Sequence, residues 1–259
     1  MIHEIAIQSG EYVVVILLVF LLSRMLRFEL RGCSFDNPKK SALVALAGIF
    51  ASMAIIASVG MLLMIASQQS PGSPQTAPRI YDVRSVVNQG IFCFLMILPV
   101  LIIKKMRKES WESMGVSRRN LSKAVVLGLI LAAAGMLTLF LLSGSASGVL
   151  SSLSISHIWA LLLFSTVGFA EEFMFRGYLQ TRMIAWLGLW QGWVLSSLIH
   201  AFGHFFQRIG VMGMSPTDAV ISCVTLIPLS LSMGFVMMRS ENFVAPAIYH
   251  TFADWWGTL

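Results

Sequence analysis

Eight apolar stretches divide the chain, at about 11–28, 41–67, 85–103, 121–142, 157–180, 190–206, 217–238 and 243–258, most of them near the length of about 20 residues that a helix needs to cross a bilayer. Hydrocarbon offers no partner to backbone N–H and C=O groups, so runs of this kind can span only as helices that satisfy their own backbone. Composition agrees: of 259 residues 57% are hydrophobic and 12% charged, where a soluble domain carries about a quarter charged residues. The pattern predicts an all-α, polytopic membrane bundle of about eight transmembrane helices, one integral domain over residues 1–259. The sixth stretch is interrupted by polar residues and the eighth is short, so seven crossings with a re-entrant piece is the alternative. The clearest loop is SQQSPGSPQTAPR at 67–79, whose three prolines break any helix.

Charge sets an expected orientation. The connection after the first stretch holds Arg24, Arg27, Arg31, Lys39 and Lys40, and the one after the third holds Lys104, Lys105, Arg107, Lys108, Arg118, Arg119 and Lys123, together twelve of the 18 basic residues. Arg176, Arg182 and Arg239 fall on the same side and leave Arg79, Arg84 and Arg208 opposite, so the positive-inside rule places both termini outside the cytoplasm, in a protein of the cell membrane. The net charge of +6 flanks apolar segments, where it faces anionic lipid head groups, so the bilayer rather than nucleic acid is the expected partner. Cys33, Cys93 and Cys223 are far apart and odd in number, which gives neither a disulfide framework nor a C-x-x-C metal site. The N-terminus lacks a basic region and a cleavage site before its apolar run, so the first segment reads as a retained helix.

Against this background the ionisable groups inside the apolar runs stand out, because each costs roughly 2.5–3.5 kcal/mol at the centre of a spanning helix and marks a partner, a wet cavity or chemistry. Glu171 and Glu172 are adjacent, with Arg176 four residues beyond Glu172. That spacing puts Glu172 and Arg176 on one helix face as a charge-assisted pair, while Glu171 is rotated by about 100°. His200 and His204 are one turn apart, as are His250 and Asp254. A buried Glu–Arg pair that locks packing, satisfied core histidines, and an Asp that merely orients its own His are the structural alternatives. Two His at that spacing can chelate zinc, but Ala201 stands where H-E-x-x-H requires Glu. All three groups fall in the second half of the chain, and a carboxylate with two imidazoles can take and return protons near neutral pH.

At these residues the sequence resembles the type II CAAX prenyl endopeptidase and bacteriocin-processing family of intramembrane proteases, the CPBP or Abi family. E-E-F-M-F-R at 171–176 matches its E-E-x-x-x-R motif, His204 in SSLIHAFGH its F-x-x-x-H, and YHTFAD, with His250 and Asp254, its final H-x-x-x-N or H-x-x-x-D. The likeness covers about residues 155–258, the expected catalytic core. Two positions depart from the commoner pattern: His200 occupies the usual Phe site, and Asp254 the site more often filled by Asn.

The resemblance implies an intramembrane, glutamate-type endopeptidase acting on a membrane-associated or prenylated peptide or protein. Glu171 and His204 would activate water, and His250 would stabilise the tetrahedral oxyanion with Asp254 as a catalytic neighbour. Glu172, Arg176 and His200 would support them. No cofactor or metal is expected, and a zinc-dependent version is the runner-up, since Glu and His are legitimate zinc ligands. A non-proteolytic immunity or scaffold role, or an ion path, is the alternative from another class.

Overall fold

A computed structural model of the chain describes residues 2–67, 80–143 and 146–259, and every element among them is helical. The proline-rich loop expected at 67–79 lies, from residue 68 on, outside the described residues. The order is α1 (Ile2–Leu26), α2 (Pro38–Ser67), α3 (Val83–Arg107), α4 (Leu121–Ser143), α5 (Ala146–Ser151), α6 (Ile155–Glu172), α7 (Thr181–Leu187), α8 (Leu189–Gly203), α9 (Phe205–Gly210), α10 (Pro216–Ser240) and α11 (Val244–Trp256). A single 3₁₀ turn, Glu112–Met114, interrupts the basic connection before α4.

Each of the eight apolar stretches contains a helix, but they are unequal. Among the described residues five segments are long and apolar enough to cross a membrane: Pro38–Leu62, Val83–Arg107, Leu121–Leu141, Ile155–Leu187 and Pro216–Ser240, with Tyr12–Leu26 a shorter apolar helix. At 1.5 Å per residue, α8 with its 15 residues and α11 with its 13 reach only about 20 Å, short of the ~30 Å hydrocarbon core. The sixth stretch ends its helix at Gly203, just before His204, and restarts as α9. Apolar side chains such as Leu17, Phe50, Phe94, Leu129 and Leu137 face outward, an unfavourable surface in water and a suitable one against lipid tails. The protein is a multi-pass integral membrane protein.

Two packed clusters organise the bundle. One joins α2, α3, α6, α7 and the segment 173–180 between the last two around Ile49, Val100, Met174 and Leu179; the other joins α1, α4, α10 and α11 around Val19, Leu131, Met233 and Tyr249. They meet where α11 packs on α6 and α10 packs on α8. The first of these contacts depends on Gly168: a Cβ there would lie 2.8 Å from Thr251 Oγ1 and 3.0 Å from the Ala247 carbonyl. Close backbone approach at small residues is the usual means of helix association in membranes. Gly168→Ala should therefore destabilise the protein by about 1–3 kcal/mol, the range for overpacking. Thermal unfolding in detergent checks this, and an unchanged midpoint would show that α6 and α11 can part without cost.

The basic connections gather at one end. Glu241 accepts from the backbone N–H of Arg31 and Gly32 at 2.8 Å each and pairs with Arg119 at 3.3 Å. Arg182, fully buried, pairs with Glu109 at 2.7 Å and stacks on Tyr178. At the opposite end the Tyr81 N–H donates to Ser156, Trp255 donates to the His157 carbonyl, and His157 Nε2 meets the Thr258 carbonyl at 3.0 Å. Asp82, which caps α3 at that end, accepts from the Ser85 hydroxyl and N–H at 2.7 Å each, and these bonds hold its carboxyl below the ordinary range.

Between α6 and α7 lies a π-helical segment, Phe173–Gln180, every residue of which is buried. Its i→i+5 bonding offsets the side chains from the positions that an unbroken 3.6-residue helix would give them, and such segments are frequent at functional sites. It begins one residue after Glu172 and contains Arg176.

Candidate active site

The seven residues singled out in the sequence come together across α6, the π segment, α8 and α11. Glu171 and Glu172, adjacent in the chain, have separate partners. Glu172 is fully buried and pairs with Arg176 Nε at 3.2 Å through one oxygen and with His250 Nδ1 at 2.9 Å through the other. Glu171 turns to α8, its Oε2 3.3 Å from His200 Nε2 and 4.0 Å from His204 Nε2. The expected Glu172–Arg176 pair is present. Glu171 and His204 are neighbours, with His200 closer still.

Burial grades across the cluster. Arg176 and Glu172 side chains are 0% exposed and those of His200 and His250 4% and 7%, whereas Glu171 is 16%, His204 22% and Asp254 32% exposed. Thus Arg176, Glu172, His200 and His250 form a closed base, and Glu171, His204 and Asp254 form an accessible rim. His204 owes its access to its place at the C-cap of α8, where the chain leaves the helix.

His250 lies between two carboxylates. Its Nδ1 bonds to Glu172 Oε1 at 2.9 Å, while Asp254 Oδ2 faces Nε2 at 3.6 Å. An ionised carboxylate can only accept, so Nδ1–H donates to Glu172, and the ring is oriented by α6 more than by its neighbour one turn along α11.

Several groups in this network were not anticipated from the sequence. Ser230 on α10 bonds His200 Nδ1 at 3.0 Å, and its hydroxyl donates to the Ser197 carbonyl at 2.8 Å. Arg176 Nη2 donates to the Ser230 carbonyl and hydroxyl, both at 3.2 Å, and lies 3.3 Å from His200 Nδ1. Gln180 donates to the Gly234 carbonyl at 2.8 Å, and Gln207 Oε1 meets His204 Nδ1 at 3.1 Å. The one sequence signal for these was hydroxyl residues inside apolar helices, Ser196-Ser197 before His200 and Ser230 and Ser232 in α10, which need interhelical partners.

Chemically the cluster offers a carboxylate and an imidazole at an accessible edge, a second imidazole held in a fixed orientation by Glu172, and a buried Arg–Glu pair behind them. One ligand atom each from Glu171, His200 and His204 lies within 4.8 Å of the others, a set that suits a transition-metal ion.

Residues 153–256 match the family model described as type II CAAX prenyl endopeptidase Rce1-like. No curated protein and no solved structure matches the chain. The matched segment begins at the turn before α6, ends with α11 and contains all seven residues. Over residues 153–256, about two fifths of its length, the chain is thus similar to the Rce1-like family of type II CAAX prenyl endopeptidases.

Proposed function

We propose that the protein is an intramembrane endopeptidase that hydrolyses a peptide bond in a membrane-associated peptide or protein, with Glu171 and His204 activating the water. The carrying observation is the pair itself. Glu171 Oε2 and His204 Nε2 are 4.0 Å apart, too far for a direct hydrogen bond and the span that one water oxygen about 2.8 Å from each would bridge. Both groups are accessible, and the matching family is one of proteases.

In the proposed step the water oxygen adds to the scissile carbonyl carbon as one water proton passes to Glu171. The carbonyl oxygen takes the negative charge, which His250, donating from Nε2 as the imidazolium, stabilises. Collapse breaks the C–N bond, the proton on Glu171 goes to the leaving amine, and the products are a free carboxyl and a free amine. General-base activation contributes about 10²–10⁴-fold and an oxyanion donor about 3–4 kcal/mol, so the two are needed together. Glu172 and Arg176 are positioning residues: they hold His250 and the helix that carries Glu171. By the positive-inside rule the basic end faces the cytoplasm.

The position of Asp254 leads to a specific expectation. Glu172 already supplies the bond that orients His250, so Asp254→Asn should retain activity within about tenfold, unlike the loss of about 10⁴ when the orienting carboxylate of a serine-protease triad becomes an amide. Glu172→Gln should be the damaging change. Rates of both variants on one membrane-tethered peptide decide this, and the reverse ranking would make Asp254 the orienting group.

The experiment that tests the function is cleavage of a membrane-tethered reporter peptide by purified protein in liposomes. A scaffold or immunity role would leave biological activity intact in Glu171→Ala, and an ion path would show as proton or ion movement in the same vesicles.

A further inference from the structure

His200 is held by Ser230 in a way that water activation alone does not require. The Ser230 hydroxyl has a single hydrogen, and its shortest acceptor is the Ser197 carbonyl, at 2.8 Å. Toward His200 Nδ1, at 3.0 Å, Ser230 must therefore accept, which puts the hydrogen on Nδ1. Arg176 Nη2 does not compete for that role, because its two hydrogens have the two Ser230 oxygens at 3.2 Å. The Nε2 of a neutral His200 is then a lone pair, and it faces Glu171 Oε2, another acceptor, at 3.3 Å. The same holds at His204. Gln207 Oε1 lies 3.1 Å from its Nδ1 and leaves Nε2 as the lone pair, 4.0 Å from the same carboxylate oxygen.

Three lone-pair donors converging within 4.8 Å of one another need hydrogens or a positive charge among them. The water between Glu171 and His204 has a hydrogen for each of them and none for His200 Nε2, and a proton can satisfy one pair, whereas a divalent cation satisfies all three. Nδ1 bonding to a neighbour with Nε2 left for the ion is also the arrangement by which outer-shell partners orient metal-binding histidines. Zinc with bonds of about 2.0–2.1 Å in a tetrahedron has ligand atoms about 3.3 Å apart; the Glu171–His200 separation already has this value, and His204 closes the rest by a side-chain movement at the exposed end of α8.

The geometry points to a divalent transition-metal site formed by Glu171, His200 and His204, with a fourth position open toward the accessible rim. Two imidazoles and a carboxylate are borderline-soft N and O ligands that suit zinc, and three protein ligands with an open position mark catalytic rather than structural zinc. The use of the ion in catalysis rests on the hydrolase reading above: it would lower the pKa of the attacking water, with Glu171 then acting as its ligand in place of accepting the proton; the ligand set does not rest on that reading. His200, the residue that departs from the commoner Phe, is the ligand that completes the set.

The test uses the full-length protein in detergent, stripped with chelator, reloaded with zinc or cobalt(II), and assayed by elemental analysis and by the visible absorption of bound cobalt. The wild type should retain about one zinc per chain, with a cobalt spectrum of a tetrahedral N/O site. Glu171→Gln, His200→Phe and His204→Phe should each weaken zinc binding by more than about 10-fold, whereas His250→Gln, outside the ligand set, should not. Thermal unfolding confirms that each variant is folded. A folded wild type that retains no zinc, or three variants that retain it as the wild type does, would overturn the site. Cleavage by metal-free protein would overturn the metal's catalytic use and leave the hydrolase reading standing; stoichiometric zinc with no cleavage of any tethered peptide would leave the metal site and remove the hydrolase.

Discussion

Glu171→Gln should lower peptide hydrolysis by at least about 10²-fold while the protein stays folded and inserted, and His204→Ala should do the same. The amide cannot accept the proton that the attacking water must lose, and general-base assistance contributes about 10²–10⁴-fold where it operates. The structural cost should be small, because Glu171 and His204 are both part-exposed and the amide of Glu171→Gln can keep the contact with His200. That separation of rate from stability distinguishes a group that acts on substrate from one that fixes the fold. A mutant of either residue that keeps more than about a tenth of wild-type activity would remove it from the water-activating pair.

The second large effect is expected behind the rim. Glu172 and Arg176 form an ion pair with neither side chain exposed, and Arg176 also tethers α10 through Ser230. Removing one partner leaves an uncompensated buried charge, which costs about 3–5 kcal/mol. Glu172→Ala and Arg176→Ala should therefore each destabilise the protein by about that amount, and the double substitution by less than the sum, with a coupling of up to about 3 kcal/mol. The three variants, unfolded in detergent with the wild type, give the cycle directly. Strictly additive losses would rule out the direct pair, and an active, stable Arg176→Ala would show that the tether to α10 is dispensable.

How much of this was legible in the sequence differs from residue to residue. Hydropathy located the helices, because a run of about 20 apolar residues has few alternatives in lipid. It could not give their lengths at the site: α8 stops at His204 and α11 has 13 residues, and both stops depend on packing and capping against other elements. The Glu172–Arg176 pair was legible because a spacing of four residues is a local property of a helix. His250 shows the limit of the same rule. Its local neighbour Asp254 is in place, but the stronger bond comes from Glu172, 78 residues earlier, and no periodicity carries that information. The π segment had no signal at all in the apolar pattern, although it sets where Arg176 points.

His200 was visible in the sequence chiefly as a departure from a commoner Phe. Its chemistry is set by Ser230 on α10, 30 residues further on, whose hydroxyl is turned to the Ser197 carbonyl on α8. The tautomer follows from a hydroxyl on another helix, so the sequence left zinc as the runner-up to metal-free acid–base chemistry, and the ion proposed above rests on that hydroxyl.

Hydrolysis by water activated at Glu171 can be read from purified protein in liposomes, incubated with a membrane-tethered peptide in water labelled with heavy oxygen, with the products identified by mass spectrometry. The wild type should give a new C-terminus carrying one labelled oxygen, and folded Glu171→Gln should give no such product. Cleavage by Glu171→Gln at a wild-type rate, or a new C-terminus without the label, would contradict it.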